Sequence, residues 1–374
     1  MDAVFSDDGI FDRILNEIPI NDLPKFRVIS KRWNTFVTRK LKAFACHHLR
    51  LVAAESDPIL PFNDYGKSIH QLRSIINHVN HGFHEFHSSK SGILTAFARY
   101  FNNGLKCIPK FSLIVTNLTN ESDRFYQPST NYPVIVIHET WPIFYPPSQE
   151  SEILESISKF SCIYSINTYT FNNFFSNLKV TITDWNDPMS LRPIMTDRKN
   201  PVMSCVYFGT GWQNLIPKDF SDFLDLLNLL DIPVFGGSQP EYFPDPQYYD
   251  PKIQKFRRTS CISISFAGRN VKSANFRFNF EPKRAKKRLQ NFKKTLDFDT
   301  DHESEKYQTI GFFSVWEQSY AKNACQRIDL NSKFQILQDV FPHVTFMGIK
   351  MQNILAQSYD SDFNILLIHL RSNS

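Results

Sequence analysis

The sequence predicts an α+β or α/β protein. A small N-terminal module of three helices, residues 1–45, precedes a larger mixed helix-and-strand domain, residues 46–374. Three observations lead to this reading. Apolar residues in the first forty positions recur at helical spacing in three short stretches. Beyond residue 45, strand-like apolar runs alternate with amphipathic helical patterns. Hydrophobic residues make up 42% of the chain and charged residues 21%, with 35 phenylalanines, so the chain has the composition of a folded protein and needs a large core to hold its aromatic surface.

The first helix rests on Ile10, Phe11, Ile14, Leu15 and Ile18, which share one helical face. Asp7 or Asp8 can cap its start, and Pro19 stops it by lacking the N–H that would continue the ladder. Asn21 is placed to cap a second short helix, with Pro24 in its first turn and Leu23 and Phe26 on one side. Ser30 is placed to cap a third, in which Trp33, Phe36, Val37 and Leu41 form the apolar stripe. Lys31, Arg32, Arg39 and Lys40 mostly occupy its other faces. A unit this small cannot bury all three stripes within itself, so it must lean on a partner or on the larger domain.

The residue identities in this module, Ile14 and Leu15, Ile18, Asp22 and Leu23, Phe26 and Arg27, then Ile29, Ser30, Lys31, Arg32 and Trp33, closely resemble the F-box pattern at the family's own spacing. The resemblance covers roughly residues 6–41. It implies a helical module that docks on the Skp-type adaptor of a cullin-based ubiquitin ligase. By position, Ile14, Leu15, Ile18, Leu23, Phe26, Ile29 and Trp33 would build the apolar surface shared with that adaptor. It also implies that the remainder of the chain captures a target protein, whose identity the sequence does not give, and that the chain itself performs no catalysis. The family usually opens with Leu-Pro and an acidic residue two positions on, where this chain has Ser6, Asp7, Asp8 and Gly9.

In the larger domain three amphipathic helices lead directly into strands: Ile153, Leu154, Ile157 and Phe160 before 162–169, Phe220 to Leu230 before 232–235, and Phe334, Leu337 and Phe341 before 343–349. Further strands are expected at 111–118, 134–138, 180–185, 202–208, 261–266, 310–316 and 365–370. Phe276, Phe278 and Phe280 alternate with polar residues as in a half-buried strand. The segment from Gly236 to Pro251, rich in Pro, Tyr and Asp, is expected to be a long loop. A single α/β domain is the favoured architecture, and a degenerate leucine-rich-repeat-like array is the alternative.

Composition and motifs narrow the function classes. A net charge of +5 is too mild to imply nucleic acid by itself. The six cysteines are scattered with no CxxC, so reduced buried thiols are expected rather than a zinc knuckle or disulfide scaffold, and no cofactor is expected. The acidic N-terminus, with Asp2, Asp7 and Asp8, does not fit a signal peptide, and no apolar run approaches the ~20 residues of a membrane helix. A cytoplasmic or nuclear setting follows, in which the sequons at Asn117 and Asn120 stay unmodified. His78, His81, His84 and His87 recur every third residue, a spacing that fans them around a helix, so a solvated polar turn is preferred to a metal site. No dinucleotide loop, Walker lysine or nucleophile elbow appears. Lys283, Arg284, Lys286, Lys287, Arg288, Lys293 and Lys294 contain no acid among them, while Ala285, Leu289, Phe292 and Leu296 mark one helical face after Pro282. A surface helix with a basic face is expected. The competing functional reading is a nuclear nucleic-acid- or factor-binding protein led by that helix.

Overall fold

The computed structural model describes residues 8–18, 22–42, 46–55, 75–78, 97, 109–116, 132–138, 143–145, 162–172, 178–210, 217–238, 245–278, 282–300, 307–315, 336–350 and 363–371. It is a mixture of helix and sheet in which strands dominate.

The chain opens with α1 (Asp8–Glu17), a 3-10 helix (Leu23–Val28) and α2 (Lys31–Lys42). The middle element is 3-10 rather than α. Pro24 withholds a donor in its first turn, and Ile29 N–H closes on the Phe26 carbonyl. Asp22, the residue before it, makes no side-chain cap and instead pairs with Lys25 at 2.5 Å; Asn21, the expected cap, lies outside the described residues. Ser30 does cap α2, its Oγ accepting the Trp33 N–H at 3.2 Å. Leu15, Leu23, Phe36 and Val37 are buried, so the three elements share a small core.

The strands follow. The first part of the domain contributes β1 (Cys46–Glu55), β2 (Ile75–His78), β3 (Pro109–Thr116), β4 (Val134–His138), β5 (Ile143–Tyr145) and β6 (Cys162–Asn172). The middle part contributes β7 (Lys179–Asp184), β8 (Val202–Gly209), α3 (Lys218–Leu229), β9 (Val234–Ser238), β10 (Gln247–Asp250), β11 (Lys255–Arg258) and β12 (Cys261–Ala267). The last contributes β13 (Val271–Phe278), α4 (Pro282–Thr295), β14 (Tyr307–Val315), a helical segment at 336–340, β15 (Thr345–Lys350) and β16 (Phe363–Arg371).

These strands form three sheets, ordered β11-β10-β4-β3-β6-β1-β2, β7-β12-β8-β9 and β13-β16-β14-β15-β5. One four-strand pattern occurs in each: β1-β6-β3-β4, β7-β12-β8-β9 and β13-β16-β14-β15. Within every copy the last strand in sequence returns antiparallel between the first and second, and the second and third are parallel. A parallel pair needs a crossover. α3 lies in the one between β8 and β9, and the segment 336–340 in the one between β14 and β15. Two of the helix-to-strand units expected from sequence are these crossovers. The expected helix at 153–160 lies outside the described residues, although its strand is β6. The repetition is therefore of whole sheets, unlike the single continuous sheet of a leucine-rich-repeat array.

The inner faces of the three sheets meet in one core. Phe111, Tyr169 and Phe171 of the first sheet, Phe235 and Phe266 of the second and Phe312 of the third all belong to it. Phe171 lies 5.4 Å from Phe266, Tyr169 lies 5.6 Å from Phe312, and Phe235 lies 5.7 Å from Phe312, measured between ring centroids. The Tyr169 hydroxyl crosses from the first sheet to the third, donating to the Thr345 carbonyl at 2.8 Å.

The outer faces carry helices. α3 covers the second sheet through Phe220, Phe223, Leu224 and Leu227, against Trp185, Cys205 and Tyr207. α4 and the 336–341 segment cover the third, with Ala285, Leu289 and Phe292 meeting Phe278, Phe341 and Phe346. This two-sided burial explains the apolar run of β16, where Leu366, Ile368 and Leu370 point to the central core while Ile365 and Leu367 point to the helix side. Gly311 and Gly348 are needed in the neighbouring parallel pair. Each lies opposite a phenylalanine, Phe346 and Phe313, whose ring occupies the space a Cβ would take.

One sequence expectation is corrected here. The stretch from Gly236 to Pro251 is not a continuous loop: Gly236 and Gly237 belong to β9, and Tyr248 and Tyr249 belong to β10, which pairs with β4 and turns back into β11. Tyr249 is buried. The expected thiol chemistry holds where it is described. Cys205 and Cys261 are free and buried, and burial pushes the Cys205 thiol up to about 12. The thiol groups of the other four cysteines lie outside the described residues.

Candidate functional site

The seven residues singled out in the N-terminal module divide into two groups. Leu15 and Leu23 are 0% and 1% exposed and hold the module together. Ile14, Ile18, Phe26 and Trp33 are half-buried, and Ile29 is 56% exposed. Phe26 and Trp33 stack at 5.5 Å and 24°, joining the 3-10 helix to α2. Val28, which the sequence pattern did not select, is 89% exposed beside Ile29. Together they put a small apolar surface in water at the end of the 3-10 helix. Around them Lys25, Arg27, Lys31 and Arg32 are exposed, and Arg27 Nε donates to Asn34 Oδ1 at 2.8 Å, fixing the 3-10 helix against α2.

A second apolar patch lies in the larger domain. Met189, Leu191 and Ile194 are exposed on the connection between β7 and β8. That connection is pinned. Arg257 Nη1 donates to Asp187 Oδ2 at 2.7 Å, Thr259 Oγ1 to Asp184 Oδ1 at 2.5 Å, and the Arg192 guanidinium lies 4.6 Å from the Trp185 ring centre. At its far end hydrogen bonds from the Asn200 side chain, then from the Lys199 and Asn200 backbone N–H groups, hold the Asp197 carboxyl below the usual carboxylate range. Sequence reasoning missed this patch. Its signal was three large apolar residues spaced among Asn186, Asp187, Pro188 and Pro193.

The third feature is a cleft of about 530 Å³ between β13 and α4, lined by Phe276, Arg277, Phe278, Arg288, Asn291, Phe292 and Thr295. The helix expected over the basic cluster is α4, with Ala285, Leu289 and Phe292 on its buried face as the spacing predicted. Lys286 pairs with Asp339 at 2.7 Å, and Lys293 Nζ donates to the Val340 carbonyl at 2.7 Å. These two lysines are committed to the 336–340 side.

The remaining candidates supply no chemistry among the described residues. No group of three His, Cys, Asp or Glu side chains is placed to hold a metal there. His78 falls in β2, while His81, His84 and His87 lie outside the described residues, as do both sequons. No described helix is long and apolar enough to cross a membrane. No family model matches the chain, and no curated protein shows significant similarity to it.

Proposed function

We propose that this chain is a substrate-recruiting adaptor of a cullin-based ubiquitin ligase, with residues 1–45 as an F-box docked on a Skp-type adaptor and residues 46–374 holding a target protein. The observation that carries the reading is the coincidence of sequence pattern and exposure. The spacing from Ile14 and Leu15 through Asp22 and Leu23 to Trp33 is that of the F-box, and the same short helical unit leaves Val28 and Ile29 uncovered. The mechanism asks for no covalent step from this chain. It works by proximity, as two binding surfaces on one protein raise the effective concentration of target lysines at the ubiquitin-conjugating partner. The setting is cytoplasmic or nuclear.

The test is co-purification with a Skp adaptor. Wild type is expected to capture it. Ile29→Asp is expected to abolish capture without unfolding the module, because the side chain is exposed. Trp33→Ala weakens capture, and Leu23→Asp abolishes it by placing a charge in the module's core. If wild type captures no adaptor where other F-box proteins do, the reading fails. The same experiment decides whether Ser6 to Gly9 can stand in for the family's usual opening.

A further inference from the structure

We propose that the cleft between β13 and α4 takes an extended acidic segment of the target protein, laid along the exposed edge of β13; this deepens the adaptor reading and rests on it for the identity of the ligand as a recruited target.

The geometry begins with strand order. Among the described strands β13 stands at the end of its sheet and pairs with β16 alone. Its first half leans on the second sheet, where the Ser273 hydroxyl donates to the Met203 carbonyl. From residue 274 to residue 278 no described strand lies on its outer side, a stretch of about 16 Å at ~3.3 Å per residue. Phe276, Arg277 and Phe278 all line the cleft although successive strand side chains point to opposite faces. Phe276 and Phe278 stand on the face that α4 covers, and Arg288, Asn291 and Thr295 lie on the flank of α4 opposite Lys286 and Lys293, which reach the 336–340 segment, so the cleft opens toward the β13 end of the sheet rather than over its middle. An edge offers backbone N–H and C=O groups to an incoming strand.

The opposite wall is a single stripe of α4, with Arg288, Asn291, Phe292 and Thr295 at i, i+3, i+4 and i+7. Phe276 and Phe292 stack at 4.8 Å and 9° and floor the cleft with Phe278, which gives an apolar side chain of the ligand a seat. The rim is cationic. Arg277 lies on the strand side, and Lys287 and Lys294 flank Asn291 on the helix side. None of these three pairs with a carboxylate among the described residues, and all three are exposed. Acidic residues alternating with apolar ones complement this surface: the backbone completes the ladder, apolar side chains reach the phenylalanines and carboxylates meet the rim. A single-stranded nucleic acid fits less well. Phe292 is buried and already stacks on Phe276, which leaves no slot between them for a base, and a strand edge has nothing to pair with in a phosphate backbone.

The experiment measures fluorescence anisotropy of a short labelled peptide alternating Glu and Val, titrated with the full chain. The controls are the same peptide with Lys for Glu, the same peptide N-methylated on alternate residues, and a labelled oligo-dT strand. Binding of the Glu-Val peptide is expected to weaken at least tenfold on N-methylation and in Arg277→Glu/Lys287→Glu. It is also expected to weaken at least tenfold in Asn291→Trp, which fills the cleft from the helix side. The Lys-Val peptide and oligo-dT are expected to bind at least tenfold more weakly than the Glu-Val peptide. Equal or tighter binding of either control, insensitivity to N-methylation, or no binding of the Glu-Val peptide overturns the proposal. Skp adaptor capture is measured on the same proteins. Loss of capture by wild type sinks the adaptor reading and leaves the cleft to be judged on the peptides. Intact capture with no preference for the Glu-Val peptide sinks the cleft alone.

Discussion

Phe312→Ala tests whether the three sheets share one core. The ring is fully buried on β14, and its neighbours Tyr169 at 5.6 Å and Phe235 at 5.7 Å belong to the other two sheets. Truncating a buried phenylalanine costs about 3–5 kcal/mol through lost transfer energy and the cavity left behind. Each aromatic pair removed adds ~0.5–1.5 kcal/mol beyond its area. Together these give about 4–8 kcal/mol, a large share of the ~5–15 kcal/mol that keeps a domain folded. Phe312→Leu, which preserves much of the volume, is expected to lose about 1.5 kcal/mol or less. Urea unfolding followed by far-UV circular dichroism and by tryptophan fluorescence is the assay, in a background with Trp33, Trp141, Trp212 and Trp316 replaced by Phe, because Trp185 then reports on the second sheet while the change is made in the third. With a common core both signals shift together and m stays unchanged. Two separated transitions of which only one moves, or a loss below about 1 kcal/mol, would refute the shared core.

Gly348→Ala drives a methyl group into the Phe313 ring and is expected to lower stability by about 1–3 kcal/mol, read as a fall in the urea midpoint. Ser30→Ala removes the cap of α2 and should cost ~1 kcal/mol locally, seen as faster amide exchange in its first turn. His369 gives a pH dependence. Burial first, then the Lys272 charge, lowers its imidazole to about 4, and Thr309 bonds its Nδ1 at 2.9 Å. The unfolded chain takes that proton near 6.5 and the folded chain only near 4, so between these values unfolding binds a proton and stability falls as pH drops. The slope is at most ~1.4 kcal/mol per pH unit. Denaturation midpoints measured from pH 7 to pH 4 should flatten in His369→Gln, and an unchanged slope would assign the effect to other groups.

Much of the fold could be read from the sequence because burial on two sides leaves long apolar runs. The expectations at 134–138 and 261–266 fall on β4 and β12, and that at 365–370 lies inside β16. The periodicity of Phe220, Phe223, Leu224 and Leu227 located α3 for the same reason, since one sheet face dictates one helix stripe. β10 escaped because four residues bracketed by Pro246 and Pro251 carry no usable period, and its burial is decided by pairing with β4, distant in sequence. The threefold repetition escaped because it lives in strand order and not in residue spacing. At the N-terminus the pattern located the module's residues, while the division into buried Leu15 and Leu23 and exposed Ile29 needed coordinates. The cleft could not have been found at all from spacing. It depends on β13 being an edge, which is a fact about β16 returning between β13 and β14.

That strand order also explains why β13 carries the charges it does. Each four-strand pattern begins and ends with a strand that would be an edge, and added strands cover several of them: β2 on β1, β10 on β4 and β5 on β15. Among the described strands, β7 and β9 remain edges in the second sheet and β13 in the third. Bare edges invite self-pairing unless something repels it. β13 presents Arg277 and α4 adds Lys287 and Lys294 beside it, while Lys272 is paired with Asp297 at 2.8 Å. A second copy of the chain approaching edge to edge would bring like charges together, which is unfavourable in an antiparallel pair. The same field attracts an acidic strand. The charges that keep this edge from pairing with its own kind thus set the sign of the segment it can accept, and reversing Arg277 and Lys287 to Glu should weaken the acidic peptide and strengthen the basic one in the same titration.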